Sequence, residues 1–422
     1  MRDSTRGRRV TETPGGLSRR RFLGWLGAAG AAGAAGVTGL AVGDGIGSDE
    51  SSAPDEDAVA FYGAHQAGIA TRQQRHMLFA SLDVAEASAE TLGGLFRFWT
   101  RAAATMARGE SVEVPGGSGG ILWDTGEAEG LGASRLTVTF GIGPSLFGAR
   151  PSVEGLRGPR PEALVDLPAF ANDELDPALS GGDVCIQACA DDEQVAVHAV
   201  RELVRLGHGI VAVRWSQSGF VPGGPAGATP RNLLGFKDGT ANIAGEDAGS
   251  LERFVWVGDE GPSWMRHGTY LVVRRIAFRL DAWDGARLAE QERTIGRHKA
   301  SGAPLSGGDE HDALDLVAAS VDGPAIPENA HVRLASPASN EGQRLLRRPY
   351  SFVDRDGGAG NLSAGLFFAA FQRDPRRQFV PIQERLSRTD ALNEYVRHTG
   401  SALFAMLPGV ADPGAVLGAG LF

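Results

Sequence analysis

The sequence predicts an α+β fold made of two ferredoxin-like halves, each with the element order β-α-β-β-α-β. The main observation is that apolar runs of strand length and segments of helical periodicity follow one another in this order twice. The length of 422 residues suffices for such a duplication. The composition, with 42% hydrophobic and 22% charged residues, is typical of a soluble globular protein. Two halves packed sheet to sheet bury both apolar faces and leave a cavity near their junction.

The first half is assigned to residues 59–242 and begins with a strand at 77–84. A helix follows, because apolar residues between Leu92 and Trp99 recur at helical spacing and Ser88 is a suitable N-cap. The unit is completed by strands at 135–140, 184–188 and 210–215 and by a helix at 193–206.

The second half, residues 243–422, repeats this theme. Its strands are predicted at 269–278, 345–352 and 366–371, and its helices at 285–299 and 377–386. The connection at 301–330 is long and rich in loop-forming residues. Loops of this length are uncommon inside a compact domain and are often functional, so this connection is a candidate for function.

Several classes of function are disfavoured by the sequence. The net charge is −10 and the body of the chain has no basic block, which argues against a nucleic-acid partner. No two of the nine histidines form H-x-x-x-H or H-E-x-x-H, so a zincin is not expected. The glycine run at 116–120 fits G-x-S-x-G only formally and is interpreted as a flexible loop. Cys185 and Cys189 are about 13 Å apart on a strand, too far for a disulfide, and are interpreted as packing residues.

Residues 1–43 are predicted to be a twin-arginine export signal. The segment at 18–23 reads S-R-R-R-F-L, and a weakly hydrophobic stretch rich in glycine and alanine follows at 25–42. This stretch is too weakly hydrophobic to suggest a permanent membrane span, and cleavage is placed near Gly43. The acidic segment 44–58 is interpreted as a flexible tether, and the mature chain is expected to be periplasmic or otherwise secreted. The twin-arginine pathway exports folded proteins, which favours a cofactor inserted before export.

The most informative segment is G-F-K-D-G-T-A-N at 235–242. Lys237 is one of two lysines among 41 basic residues, and Asp238 stands beside it among turn-forming residues. Alone, the segment reads as a surface turn, because Asp-Gly is a strong turn dipeptide. A functional interpretation of the segment is favoured by His331, because a neutral imidazole at the edge of an apolar cavity can ligate iron axially. Arg347 and Arg348 follow closely, and either of them can face the same cavity.

Further motifs establish a resemblance that covers nearly the whole mature chain. They are F-Y-G-A-H-Q-A-G-I at 61–69, N-L-L-G-F-K-D-G-T-A-N at 232–242, G-R-H-K-A-S-G-A-P-L at 296–305, H-V-R-L-A-S-P at 331–337 and L-R-R-P-Y at 346–350. The chain resembles the dye-decolorising haem peroxidases, and among them the exported deferrochelatase/peroxidase type of bacterial ferrous-iron uptake systems. The resemblance implies a dimeric α+β-barrel-like fold around one haem b per chain. Pro349 stands where this family commonly has glycine or serine.

The resemblance also implies roles for individual residues. His331 would be the axial ligand of the haem iron, Asp238 the distal acid/base and Arg347 the distal arginine. The residues that would line the haem are Gly239, Thr240 and Ala241.

These residue types suit the chemistry of peroxide. One carboxylate can take a proton from the oxygen that binds iron and give it to the oxygen that leaves. An arginine stays charged and presents a planar fork of donors to the developing negative charge. A carboxylate that accepts the free N–H of His331 would strengthen that ligand, and Asp374 is the candidate. Lys237 is given no catalytic role.

The predicted function is the reduction of hydrogen peroxide coupled to one-electron oxidation of organic donors such as dyes or porphyrinogens. One alternative is a deferrochelatase that releases iron and leaves the porphyrin intact, and another is a non-enzymatic envelope haem-binding protein. A third alternative is a related dimeric α+β barrel without haem peroxidase chemistry, such as a relative of the chlorite dismutases, and the segment 235–242 argues against it. The expected partners are haem, peroxide and small donors, and a homodimer or partners from an iron-uptake system are compatible with the resemblance.

Overall fold

A computed structural model provides the structure of the chain. It describes residues 57–85, 87–113, 124–148, 153–225, 227–321, 323–354 and 362–422. The predicted export signal at 1–43, the tether up to residue 56 and the glycine run at 116–120 lie outside the described residues. Within the described ranges, no helix is long and apolar enough to cross a membrane.

The described residues contain thirteen strands and seven α-helices. The strands are β1 His76–Val84, β2 Ala87–Ser88, β3 Thr137–Ile142, β4 Val153–Glu154, β5 Val184–Ala190, β6 Val211–Phe220, β7 Thr269–Phe278, β8 Ala319–Ser320, β9 Gly323–Pro324, β10 Leu346–Arg347, β11 Tyr350–Asp354, β12 Ser363–Gln372 and β13 Val396–Met406. The helices are α1 Ala89–Met106, α2 Glu193–Leu206, α3 Ala248–Phe254, α4 Leu280–Gly285, α5 Leu288–Ile295, α6 His331–Leu334 and α7 Phe379–Thr389.

The main strands form two four-stranded antiparallel units with the same internal order. The N-terminal unit runs β6-β1-β5-β3, and the C-terminal unit runs β13-β7-β12 and then β10 with β11. Counted along the chain within each unit, both orders are 4-1-3-2, which is the ferredoxin-like arrangement. The structure therefore confirms the predicted pair of ferredoxin-like halves.

Two narrow seams join these units into one closed sheet. At the first seam, β3 pairs with β13 through Ile142–Ala405 and Gly141–Met406. At the second, β6 pairs with β11 through Phe220 and Ser351 alone. Closure removes most of the exposed edges that a four-stranded sheet would otherwise present.

The core lies between the two units and under the helices. Every residue of β5 is buried, because α2 packs against the sheet on one side and aromatic residues fill the other. The ring centroids of Phe79 in β1 and Phe367 in β12 are 5.2 Å apart, so the units contact each other through this layer. Cys185 and Cys189 are free and fully buried here, as predicted.

Among the differences from the sequence prediction, three concern the main strands and helices of the C-terminal unit. The helix expected at 285–299 is replaced by the shorter α4 and α5, and α5 ends at Ile295, before Gly296, whose φ of +94° favours glycine. The strand expected at 345–352 is interrupted between β10 and β11, where Pro349 has no N–H to donate. Strand β13 was not predicted, because its polar beginning from Arg397 to Gly400 resembles a loop in sequence.

Candidate active site

Asp238 lies in a glycine-dependent turn that follows β6. Its backbone N–H donates to the carbonyl of Pro230 at 2.8 Å, which folds the segment back on itself. Gly235 and Gly239 have φ values of +84° and +126°, a region that other residues rarely adopt. The turn leaves the Asp238 side chain 14% exposed. The glycines on each side are therefore what allow this carboxylate to be presented here.

Arg347 of β10 forms an ion pair with Asp238. Its Nη1 donates to Asp238 Oδ1 at 2.8 Å, and Asn232 Nδ2 approaches Oδ2 at 3.4 Å. Asn242 fixes the backbone of Arg347 by donating to its carbonyl at 2.7 Å and accepting from its N–H at 2.9 Å. Two segments more than 100 residues apart in sequence are thus tied together beside the ion pair.

Arg348 has a different environment from its neighbour. It is 4% exposed and donates to the carbonyl of Thr71 and to the amide oxygen of Gln74. Arg347 is the last residue of β10 and Arg348 follows the strand, and the two side chains meet different partners. The structure brings Arg347 to Asp238 and buries Arg348 against the segment 71–74.

His331 begins α6 and is hydrogen-bonded to a buried carboxylate. Its Nδ1 lies 2.6 Å from Asp390 Oδ2, and Asp390 is fixed in turn because its Oδ1 accepts the N–H of Leu392 at 2.8 Å. The prediction that Asp374 would be this acceptor is wrong. Asp374 instead accepts from Arg376 at 2.8 and 3.0 Å. Asp390 follows α7, whereas Asp374 precedes it.

The charges around His331 link it to the Asp238–Arg347 pair. Burial lowers the pKa of His331, but the charge and hydrogen bond of Asp390 raise it, and the net shift is upward. Arg347 lowers this pKa and Asp238 raises it, so both groups lie within electrostatic reach of the imidazole. The side chain of His331 is one-third exposed, and among the described residues none forms a hydrogen bond with its Nε2.

The residues expected to line a haem lie beside Asp238. Gly239 and Thr240 are partly buried, and Ala241 is exposed. A Cβ placed on Gly239 would meet only Thr229 Cγ2, at 3.7 Å, so there is open space next to this glycine. A flat group can approach the backbone at such a position.

This site fits a haem in the chemistry of its donor set. An imidazole with a carboxylate on Nδ1 and a free Nε2 is the usual form of a metal-binding histidine. An Asp–Arg pair within electrostatic reach of it supplies an acid/base group and a fixed cation. Together with the α+β fold and its closed sheet, these features define a haem peroxidase.

Comparisons with known proteins agree with this class. The family models described as "Dyp-type peroxidase, N-terminal" and "Dyp-type peroxidase, C-terminal" match residues 66–221 and 229–411. The chain belongs to the Dyp-type peroxidase family and is a haem-dependent peroxidase.

Individual relatives cover most of the chain. A protein named deferrochelatase from Escherichia coli strain 536 is 39% identical over 371 residues, which is 86% of each chain. The crystal structure of a DyP-type peroxidase from Streptomyces coelicolor is 41% identical, with a TM-score of 0.78, over 86% of this chain and 96% of its own. That of a peroxidase from Cellulomonas bogoriensis is 37% identical, with a TM-score of 0.77, over 87% and 98%.

Three residues of this site were not found from the sequence. Asn242 closes the octapeptide, but nothing in the sequence pairs it with Arg347. Asp390 follows the helical pattern of α7 and is a residue type that often caps a helix N-terminus. The local sequence around it gives no other indication of a role. Glu310 forms an ion pair with Lys237, and it lies in the long connection that was a candidate for function.

Proposed function

We propose that the chain uses His331 as the axial haem ligand and the Asp238–Arg347 pair as its distal acid/base and cation. Hydrogen peroxide is reduced, and organic donors such as dyes or porphyrinogens are oxidised one electron at a time. The observation that carries this proposal is the 2.8 Å ion pair between Asp238 and Arg347 within electrostatic reach of a carboxylate-bonded His331.

Haem b, one per chain, supplies the iron and the redox chemistry when it is bound. His331 would hold the haem iron through Nε2, because Asp390 holds the proton on Nδ1, and this hydrogen bond would raise the basicity of the imidazole. Gly239, Thr240 and Ala241 provide the backbone surface on the side of Asp238.

Asp238 moves the proton of the substrate. Its carboxylate takes a proton from one peroxide oxygen and returns it to the other, which leaves as water when the O–O bond breaks, and the bound haem would supply the two electrons. Arg347 presents fixed N–H donors to the oxygen on which negative charge develops. Asn242 keeps these donors in place through the backbone of Arg347.

The rate of reaction with peroxide tests these roles. Purified holoprotein is mixed with hydrogen peroxide in a stopped-flow instrument and the Soret band is followed. Asp238→Asn is expected to slow the reaction by roughly 10²–10⁴-fold, the usual contribution of a general acid/base. Asp284→Asn, in an exposed part of α4, is the matched control and should react at the wild-type rate. A wild-type rate for Asp238→Asn removes the acid/base role.

Deferrochelatase activity is the second candidate, and it is favoured by the name of the relatives at 39% identity. Iron release requires no peroxide and leaves the porphyrin ring whole. Incubation of haem with the protein under reducing conditions, with and without peroxide, separates the two activities. Metal-free porphyrin that forms at the same rate without peroxide supports iron release. A non-enzymatic haem-binding protein would show neither product.

We also propose how the chain is exported and how it is divided into segments. Residues 1–43 direct twin-arginine export, residues 44–58 form a tether, and the two halves are 59–242 and 243–422. Replacement of Arg19 and Arg20 by lysine should retain the protein in the cytoplasm of an expressing bacterium. Size-exclusion chromatography of the mature chain tests a homodimer, and co-purification with iron-uptake proteins tests the remaining partners.

A further inference from the structure

The long connection before α6 contacts the Asp238 turn through one acidic side chain. Glu310 forms an ion pair with Lys237 Nζ, and its Oε1 lies 3.5 Å from Thr240 Oγ1. The two side chains of the pair are mostly buried, with 16% of Glu310 and 22% of Lys237 exposed. Lys237 immediately precedes Asp238 and Thr240 follows it by two residues, so Glu310 contacts the turn on both sides of Asp238.

The position of Glu310 is itself fixed by its surroundings. Arg297, which is 7% exposed, donates through Nη1 to the carbonyl oxygens of Gly302 and Glu310, each at 2.8 Å. Gly302 has a φ of +82°, and a Cβ there would lie 2.8 Å from Lys237 Cδ. The stem of Lys237 therefore packs against the backbone of the connection while its ammonium group meets Glu310.

We propose that Glu310 is a positioning residue for Asp238, acting through Lys237 and Thr240. This inference rests on the proposed function, in which Asp238 is the acid/base. The turn that carries Asp238 is built on Gly235 and Gly239, and glycine adds conformational freedom that something else must restrict. A partly buried ion pair attached to an anchored segment supplies that restriction. It also gives Lys237 a function that is not catalytic.

If Glu310 positions Asp238, its replacement should slow the reaction with peroxide and leave the haem content unchanged. Displacement of a catalytic group by about 1 Å can cost on the order of 100-fold in rate. Glu310→Gln keeps the size of the side chain and removes its charge. The rate of reaction with peroxide is therefore expected to fall by about 10- to 100-fold. The Soret spectrum and haem content should match the wild type, because His331 and Asp390 are not among the contacts of Glu310.

Three variants test the inference alongside Glu310→Gln. Glu328→Gln makes the same change at an exposed glutamate of the same connection and is expected to react like the wild type. Lys237→Met removes the ion pair from its other end and should show the same loss as Glu310→Gln. The exchanged pair, Lys237→Glu with Glu310→Lys, is expected to recover part of the rate, which general destabilisation would not produce.

The outcomes distinguish this inference from the proposed function. If Glu310→Gln and Lys237→Met react at the wild-type rate while Asp238→Asn is slow, Glu310 has no positioning role and the function of Asp238 stands. If Asp238→Asn is also fast, the proposed function itself is wrong. If Glu310→Gln loses haem, the rates of Lys237→Met and of the exchanged pair test the inference instead. Loss of haem in all three variants would overturn it and show that the contact is purely structural.

Discussion

The two carboxylates of the site are held in different ways. Asp390 is 4% exposed, lies at the start of a 3-10 helix and is bonded to a backbone N–H as well as to His331. Asp238 is 14% exposed, lies in a turn that depends on glycines and is bonded to Arg347. The first arrangement fixes the imidazole of His331, the proposed ligand, through a buried carboxylate. The second leaves a carboxylate accessible to a small substrate.

The two carboxylates also differ in which parts of the chain they join. His331 and Asp390 are 59 residues apart, and both belong to the C-terminal unit. Asp238 and Arg347 are 109 residues apart, and in the described part of the chain the hydrogen bonds between the Asp238 turn and β10 each involve a side chain. The His331–Asp390 pair lies within one unit, whereas the Asp238–Arg347 pair joins the turn after β6 to a strand of the other unit. We therefore expect mutations to affect the binding of haem on the first side and the rate with peroxide on the second.

The largest effect is expected for His331→Ala. Removal of this proposed ligand should shift the visible spectrum of bound haem and weaken haem binding by more than the roughly 10–100-fold typical for loss of a ligand's partner. Added imidazole should restore part of the spectrum by filling the space of the side chain. His208→Ala, at an exposed histidine, is the control. An unchanged spectrum in His331→Ala would show that another residue binds the iron.

Arg347→Leu is expected to come next, with a loss of about 10²–10³-fold in the rate with peroxide, as for removal of a donor to a developing charge. Haem content should stay at the wild-type level, because Arg347 does not contact Asp390. Arg347→Lys keeps the charge without the planar fork and should lie between Leu and the wild type. Stopped-flow rates and Soret spectra measure both effects. Equal rates for all three proteins would exclude Arg347 from the chemistry.

A smaller effect, about 10–100-fold in metal affinity or activity, is expected for Asp390→Asn. The amide cannot carry the negative charge that raises the pKa of His331, so the ligand becomes a weaker donor. The reduction potential of the haem iron should rise, which spectroelectrochemistry measures directly. Asp374→Asn is the matched control, since that carboxylate is bonded to Arg376. A potential that moves equally in both variants would contradict the assignment.

The sequence predicted more of the fold than of the contacts. Repeated patterns gave both ferredoxin-like units, because each strand and helix buries an apolar face with its own period. They missed β13, whose polar beginning is covered by tertiary contacts. In the candidate site, His331, Asp238 and Arg347 were predicted because each lies in a recognisable motif. Asp390 and Glu310 were not, because pairing between distant segments depends on how the chain folds.

The smallest effect is expected for Asn242→Ala, and it tests whether the Asp238 side depends on long-range contacts. The substitution removes two hydrogen bonds to the backbone of Arg347, which should cost about 1–3 kcal/mol of stability and several-fold in the rate with peroxide. If Asn242 acts by placing Arg347, the double variant with Arg347→Leu should be no slower than Arg347→Leu alone. Denaturant unfolding and stopped-flow rates give the two quantities. Losses of rate that simply add would mean that Asn242 acts on the chemistry by a route that does not pass through Arg347.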